Sequence, residues 1–313
     1  NRLLERQEAL VNRSERDARI NVEDRKKLNK DILPLFGMMG VAEITTDKIE
    51  DYLNQLSAER KLAPSTLQKH LVVIRKVLSE AKRKDFIKSL PIFPTIRRRD
   101  NPRPCFNDHE YHLLRKTAPR LAKKGIKVRY VPLTEEIGDF IVFHVNVFVR
   151  LSDLKLVKHR HIRVVRDQNT KYVLITPPNS KTVTRESASM PTAVDVYERL
   201  KKRHEAAGLA GEDDYVFFPE YRNRQYALQT MRRQFEFILE EAGLKYDASD
   251  RARTLYSLRH TALMFRLLKG ENVDIFMLAR NALTSVDQLE RFYLSHAESR
   301  MKIENLQSMA RNA

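Results

Sequence analysis

The chain has 313 residues, 42% apolar and 32% charged, which describes a soluble globular protein long enough for two domains with separate cores. A net charge of +17 and a pI of about 9.9 favour a polyanionic partner, of which nucleic acid is the commonest. Only 8 glycines argue against Gly-rich nucleotide loops and turn-rich all-β folds, and a single cysteine, Cys105, excludes an intrachain disulfide.

A lone thiol fits a reducing compartment, the cytoplasm or the nucleoid. There is no apolar run long enough for a bilayer and no secretory signal, so no membrane partner is expected. The chain begins at Asn1 rather than Met, which suits a processed piece of a longer protein with a further N-terminal module. Residues 1–105 hold 23 Lys/Arg and 15 Asp/Glu, and the remainder 35 and 26, so both halves are basic. That spread suits two domains that each touch the polyanion.

In chain order, residues 1–95 read as a helical domain. A weakly patterned helix is expected over residues 2–20. Leu28, Ile32, Leu35 and Phe36 suggest another helix, ended by Gly37 and Gly40. Ile49, Tyr52, Leu53 and Leu56 follow the i, i+3, i+4, i+7 spacing of one helix face, with Thr46 or Asp47 as cap. Pro64-Ser65 opens a further helix with the stripe Leu67, Leu71, Ile74, Leu78 and Ala81. Its other side carries Lys69, Arg75, Lys76, Lys82, Arg83 and Lys84, either a solvated face or a DNA-facing one.

Residues 89–105 contain four prolines and four arginines, so an extended connection is expected there. We place a linker at 96–106; Arg97, Arg98 and Arg99 suit a phosphate backbone. The second domain, 107–313, opens on a helix capped by Asn107 or Asp108 and running to about Ala122. Glu135 to Val149 reads as a buried helix. Two β-rich runs from His161 and from Lys171 flank Asp167-Gln-Asn-Thr, a hairpin signature, and Lys181 to Met190 offers a third strand. Helices are expected at about 192–207, 225–242, 257–269, 272–280 and 285–294. The fold class is therefore mainly α with a small antiparallel β-sheet, an α+β second domain following a helical one.

Metal-free cleavage of a phosphodiester needs an in-line nucleophile, fixed donors for the non-bridging oxygens, and an acid for the leaving 5′ oxygen. Leu255-Tyr256-Ser257-Leu258-Arg259-His260-Thr261 sets an Arg-His pair at the start of an apolar helical run, and Glu290-Arg291-Phe292-Tyr293 follows on a second helical stretch. Arginine clamps phosphate oxygens, and tyrosine can attack phosphorus to form a covalent ester. This wording resembles the C-terminal signature of the tyrosine recombinases, the phage integrase family.

The resemblance extends upstream. Phe148-Val-Arg150-Leu-Ser-Asp153-Leu resembles the first-arginine motif Thr-Gly-x-Arg-x-x-Glu-Leu, with Val147-Phe148 in place of Thr-Gly. On the residues alone, Arg150 and Asp153 also read as an i, i+3 helical ion pair. Pro178-Asn-Ser-Lys181-Thr resembles the family's β-hairpin lysine segment. The usual His-x-x-Arg-His becomes Tyr256-Ser-Leu-Arg259-His260, and Thr284 stands nine residues before Tyr293, where the family often has His or Trp after a glycine; Leu283 replaces that glycine.

What the resemblance implies is a site-specific recombinase or integrase of a mobile element, cutting and rejoining double-stranded DNA through a 3′-phosphotyrosine. Tyr293 would be the nucleophile, with Arg150, Arg259 and Thr284 at the phosphate and Lys181 as acid. Tyr256 stands at the place of the usual histidine, and Asp153 and His260 are supporting. It also implies no cofactor or metal, a clamp of two domains round DNA, and a homo-tetramer joined by exchange of the C-terminal tail, where Ile303, Leu306, Met309 and Ala310 form a stripe. The alternatives are a catalytically degenerate DNA-binding protein of the same fold, or relaxation of DNA in the manner of a type IB topoisomerase.

Overall fold

A computed structural model describes residues 2–97, 104–167, 169–178, 186–270 and 273–292. The chain divides into two compact units, Asn1–Asp100 and Asn101–Ala313.

The first unit is helical. Helices α1 (Arg2–Asn12) and α2 (Ala18–Lys27) replace the single helix expected over 2–20. The break falls at Ser14, whose backbone is left-handed (φ 60°), and Asp17 restarts the helix by accepting from the Arg19 amide. A π-helical turn, Leu28–Ile32, leads into α3 (Leu33–Phe36). Leu28, Ile32 and Phe36 are buried as the pattern predicts, whereas Leu35 is exposed. Helix α4 (Thr46–Arg60) is capped by Thr45, one residue before the expected cap. Its stripe, Ile49, Tyr52, Leu53 and Leu56, packs in one core with Leu67, Leu71, Ile74 and Leu78 of α5 (Pro64–Arg83). Truncating one of these side chains to Ala would cost about 2–5 kcal/mol. Two buried polar features are tied off: Tyr52 Oη bonds His70 Nδ1 at 2.8 Å, and the Asp24 carboxylate gathers Gln7, Arg16 and Lys76.

In the second unit, α6 (Asp108–Ala122) begins with a reciprocal cap between Asn107 and Glu110. A hairpin that the sequence reading lacked follows, β1 (Lys127–Val128) with β2 (Val131–Pro132). Helix α7 (Glu135–Asn146) is the central element, with Ile137, Phe140, Ile141 and Phe143 fully buried, and it meets α6, α9 (Thr192–Ala206) and α11 (Leu255–Lys269). It ends three residues before the expected Val149. Val147 to Arg150 are extended, a conformation that suits β-branched and aromatic side chains, and the Asn146 carbonyl accepts from Met190 at 2.9 Å. A short helix α8 (Leu151–Leu154) follows.

The sheet is antiparallel in the order β3 (Ile162–Asp167), β4 (Thr170–Ile175), β5 (Ser187–Ala188). The expected third strand is thus a two-residue edge. Helix α10 (Arg224–Glu241) completes the main core, and α12 (Ile275–Asn281) and α13 (Val286–Phe292) close the described chain. A smaller core, with Phe148, Ala262, Leu263, Leu278, Ala282 and Leu289, seats α12 and α13 on α11 and on the extended 147–150 segment. This packing brings the candidate site together. Among the described residues, no helix is long and apolar enough to cross a membrane.

Candidate active site

The site is built on the turn between α12 and α13. Helix α12 ends in a Schellman motif: the Leu283 amide donates to Arg280 O and the Thr284 amide to Ala279 O. Leu283 is left-handed at φ 52°, the conformation that favours glycine, in the position where the integrase motif has glycine. Ser285 then starts α13, its hydroxyl accepting from the Gln288 amide at 3.3 Å.

Both arginines grip this turn. Arg259, buried on α11, donates through Nη2 to the Ala282 carbonyl at 2.8 Å and through Nη1 to the Phe148 carbonyl. Arg150, half-buried, donates through Nη2 to the Leu283 carbonyl at 2.6 Å. Adjacent carbonyls of one turn thus hold two guanidinium groups that lie 109 residues apart in sequence. Arg259 is the fifth residue of α11 and is held by the Phe148 and Ala282 carbonyls. Asp153 forms no ion pair with Arg150, because Arg150 is the extended cap of α8 and points to Leu283; Asp153 instead contributes its amide to the Arg150 carbonyl at 3.0 Å.

Burial alone does not mark a site arginine. Arg224 is also buried, but it donates to the carbonyls of Lys155, Phe217, Phe218 and Tyr221 and braces a loop. Arg253 likewise pairs with Glu110 at 2.7 Å.

Beneath Arg259 lies His144 of α7, which the sequence reading did not single out. Its side chain is fully buried against Phe140; burial, and then the Arg259 charge, push its pKa down to about 3. The imidazole is therefore neutral and adds no charge beside Arg259.

Tyr256 and His260 sit one turn apart on α11, their rings edge-to-face with centroids 5.0 Å apart. His260 is buried, while Tyr256 is 36% exposed and lines a cavity of about 590 Å³ with Leu151, Arg232, Lys245 and Thr254. Thr284 is half-buried and directly follows the two carbonyls. Lys181 and Tyr293 lie outside the described residues, as do Arg98, Arg99 and the C-terminal stripe; α13 runs to Phe292, the residue before Tyr293. Among the described residues, no group of three or more His, Cys, Asp or Glu is placed to hold a metal ion.

In the first unit, Lys69, Lys82, Lys84 and Arg97 are exposed, with no ion pair among the described residues. Lys76 pairs with Asp24 at 2.6 Å, Arg83 pairs with Glu80, and Arg75 lies over the Phe93 ring at 4.4 Å. The basic face of α5 is thus part solvated cation and part internal ion pair.

The chain has the tyrosine recombinase fold. It is similar to lambda integrase in a dimer bound to a COC′ core site, with a TM-score of 0.65 at 17% identity over 91% of this chain and 95% of that one. It is equally similar to the Tn1549 transposon integrase in complex with transposon right-end DNA, with a TM-score of 0.65 at 14% identity over 97% and 98% of the two chains. A lambda integrase tetramer bound to a Holliday junction gives 0.63 at 17% identity, over 90% and 76%. No protein-family model matches the sequence, and no curated protein matches it.

Proposed function

We propose that this protein is a DNA strand-transfer enzyme that recombines double-stranded DNA through a covalent tyrosine intermediate. The observation that carries this reading is the anchoring of Arg150 and Arg259 on the neighbouring carbonyls of Leu283 and Ala282. That turn leads directly into the helix that precedes Tyr293. Two fixed cations at the foot of the helix that precedes Tyr293 suit stabilisation of a pentacoordinate phosphate.

In the proposed reaction the Tyr293 oxygen forms a bond to phosphorus and the bond to the 5′ oxygen breaks. The phenol proton passes to solvent water, and one proton passes from the Lys181 ammonium to the 5′ oxygen. Arg150, Arg259 and the Thr284 hydroxyl hold the phosphate oxygens. The ester conserves the bond energy, so reversal with a new 5′ hydroxyl rejoins the strand. The basic surfaces of both units supply DNA affinity, and four protomers are needed to exchange two strands on each of two duplexes. The lambda integrase tetramer on a Holliday junction supports that stoichiometry.

The test uses duplexes selected from a random pool by binding to the protein, then nicked at successive positions to trap the intermediate. Wild-type protein should give a denaturant-resistant DNA adduct, and Tyr293→Phe should give none while binding as tightly. Tight binding with no adduct from wild type would establish the degenerate DNA-binding alternative. Relaxation of plasmids lacking any selected sequence would establish the topoisomerase-like one.

A further inference from the structure

We propose that Asn281 is a positioning residue that ties β5, the strand that follows Lys181 in sequence, to the turn that holds both arginines. The proposal rests on the catalytic reading above. Asn281 is the last residue of α12, and its side-chain amide pairs with both backbone groups of Ala188 in β5, 93 residues away. Its Oδ1 accepts from the Ala188 amide at 2.7 Å, and its Nδ2 donates to the Ala188 carbonyl at 2.9 Å.

A primary amide offers one acceptor and a donor group side by side, the arrangement a neighbouring strand would present. Asn281 therefore substitutes for a fourth strand on the outer edge of β5. That edge needs help. β5 has only two residues, held to β4 through Leu174↔Ala188 and Ile175↔Ser187. Lys181 lies in sequence between β4 and β5, seven residues before Ala188.

Three consecutive residues then serve three partners. Asn281 holds β5, Ala282 accepts from Arg259, and Leu283 accepts from Arg150. One turn thereby registers the strand that follows Lys181 in sequence against the two arginines. Neither the sheet nor α12 has another paired amide joining them among the described residues. A displacement of about 1 Å in a catalytic group can cost about 10²-fold in rate, so a loose anchor should be visible in kinetics.

The test compares Asn281→Ala and Asn281→Asp with wild type on two nicked duplexes. One has the ordinary phosphodiester, and the other has sulfur in place of the bridging 5′ oxygen, whose thiolate leaves without a proton. On the ordinary substrate both variants should cleave about 10²-fold more slowly. On the sulfur substrate they should approach the wild-type rate, because the acid is no longer needed. Arg150→Lys should stay slow on both. Equal slowing of the Asn281 variants on both substrates, or none on either, would overturn the positioning role. Asn281→Asp keeps the shape and the acceptor, so it reports even if Asn281→Ala folds poorly. A wild-type protein that cleaves neither substrate would overturn the recombinase reading, and this role with it.

Discussion

Arg150 donates to the carbonyl of Leu283 at 2.6 Å, and Leu283 makes that carbonyl available by adopting a left-handed backbone, φ 52°. A non-glycine residue there stores about 1–2 kcal/mol. Leu283→Gly should relieve this while losing a half-buried side chain and gaining unfolded-state freedom, so stability should change by less than about 1 kcal/mol. Leu283→Val sets a branched side chain against the same backbone and should destabilise by about 1–2 kcal/mol. Chemical denaturation of both variants checks the contrast, and only Leu283→Val should also slow adduct formation.

The two arginines should respond differently to loss of their planar forks. Arg150 is half-buried with one carbonyl partner among the described residues, so Arg150→Lys should slow cleavage by about 10²-fold or more while changing stability by about 1 kcal/mol. Arg259 is buried and bridges two carbonyls, and a lysine cannot reach both. Arg259→Lys should therefore lose activity and also about 1–3 kcal/mol of stability. Melting curves run beside adduct assays separate the kinetic variant from the doubly impaired one.

Much of this site is legible in the sequence because its arginines and helices obey local rules. The α5 stripe fixes the helix to its Pro64 start, and the Arg-His-Thr wording places Arg259 on a helix. What was not legible depends on backbone partners. The carbonyls of Phe148, Ala282 and Leu283 have no side-chain signature, and Leu283 hides a left-handed turn that a glycine would have announced. Phe140 to Val149 is apolar apart from His144 and Asn146, so periodicity alone could not show where α7 stops and the extended arm to Arg150 begins. Asn281 reads as an ordinary polar residue at a helix end; only the tertiary fold reveals the strand edge it faces.

The β1–β2 hairpin was missed for the same kind of reason. Val128↔Val131 pairing leaves a two-residue loop, Arg129-Tyr130, with φ of 48° and 69°, a type I′ turn normally marked by Asn-Gly. Tyr130 is 95% exposed, so its ring contributes little to packing. Replacing the pair with Asn-Gly should raise stability by about 1–2 kcal/mol, read as a higher denaturation midpoint at unchanged slope. A lower midpoint would mean that the two side chains make contacts worth more than the backbone strain.

Acid sensitivity should come from buried histidines. His159 bonds Tyr197 Oη at 3.0 Å; burial first, then the His204 and Lys201 charges, push its pKa down to about 4, with Asp214 opposing. The unfolded chain then binds the proton more readily, from about pH 6.5 downward. Stability is therefore fully present above pH 6.5 and should fall as pH drops towards 4, by on the order of 3 kcal/mol from this residue. His144, held down to about 3, acts in the same direction, while Glu220, raised by burial, acts in the opposite one. Denaturation at pH 7 and pH 4.5 should show a smaller acid loss in His159→Gln than in wild type. Parallel losses would assign the acid sensitivity to other groups.

DNA affinity should report which cations are solvated. Lys69, Lys82 and Lys84 are exposed and have no ion pair among the described residues, whereas Lys76 and Arg83 already face Asp24 and Glu80. A cation that neutralises a phosphate releases counterions, and each such contact contributes about 0.9 to the slope of log affinity against log salt. Replacing the three lysines with Ala should therefore lower that slope by up to about 3 and weaken binding most at low salt. Lys76→Ala should leave the slope nearly unchanged and instead destabilise the first unit, because Asp24 would lose one of its partners. Fluorescence anisotropy titrations across a salt series, with melting curves for the same variants, test both halves. A slope unaltered by the triple substitution would remove the α5 face from the DNA-binding surface.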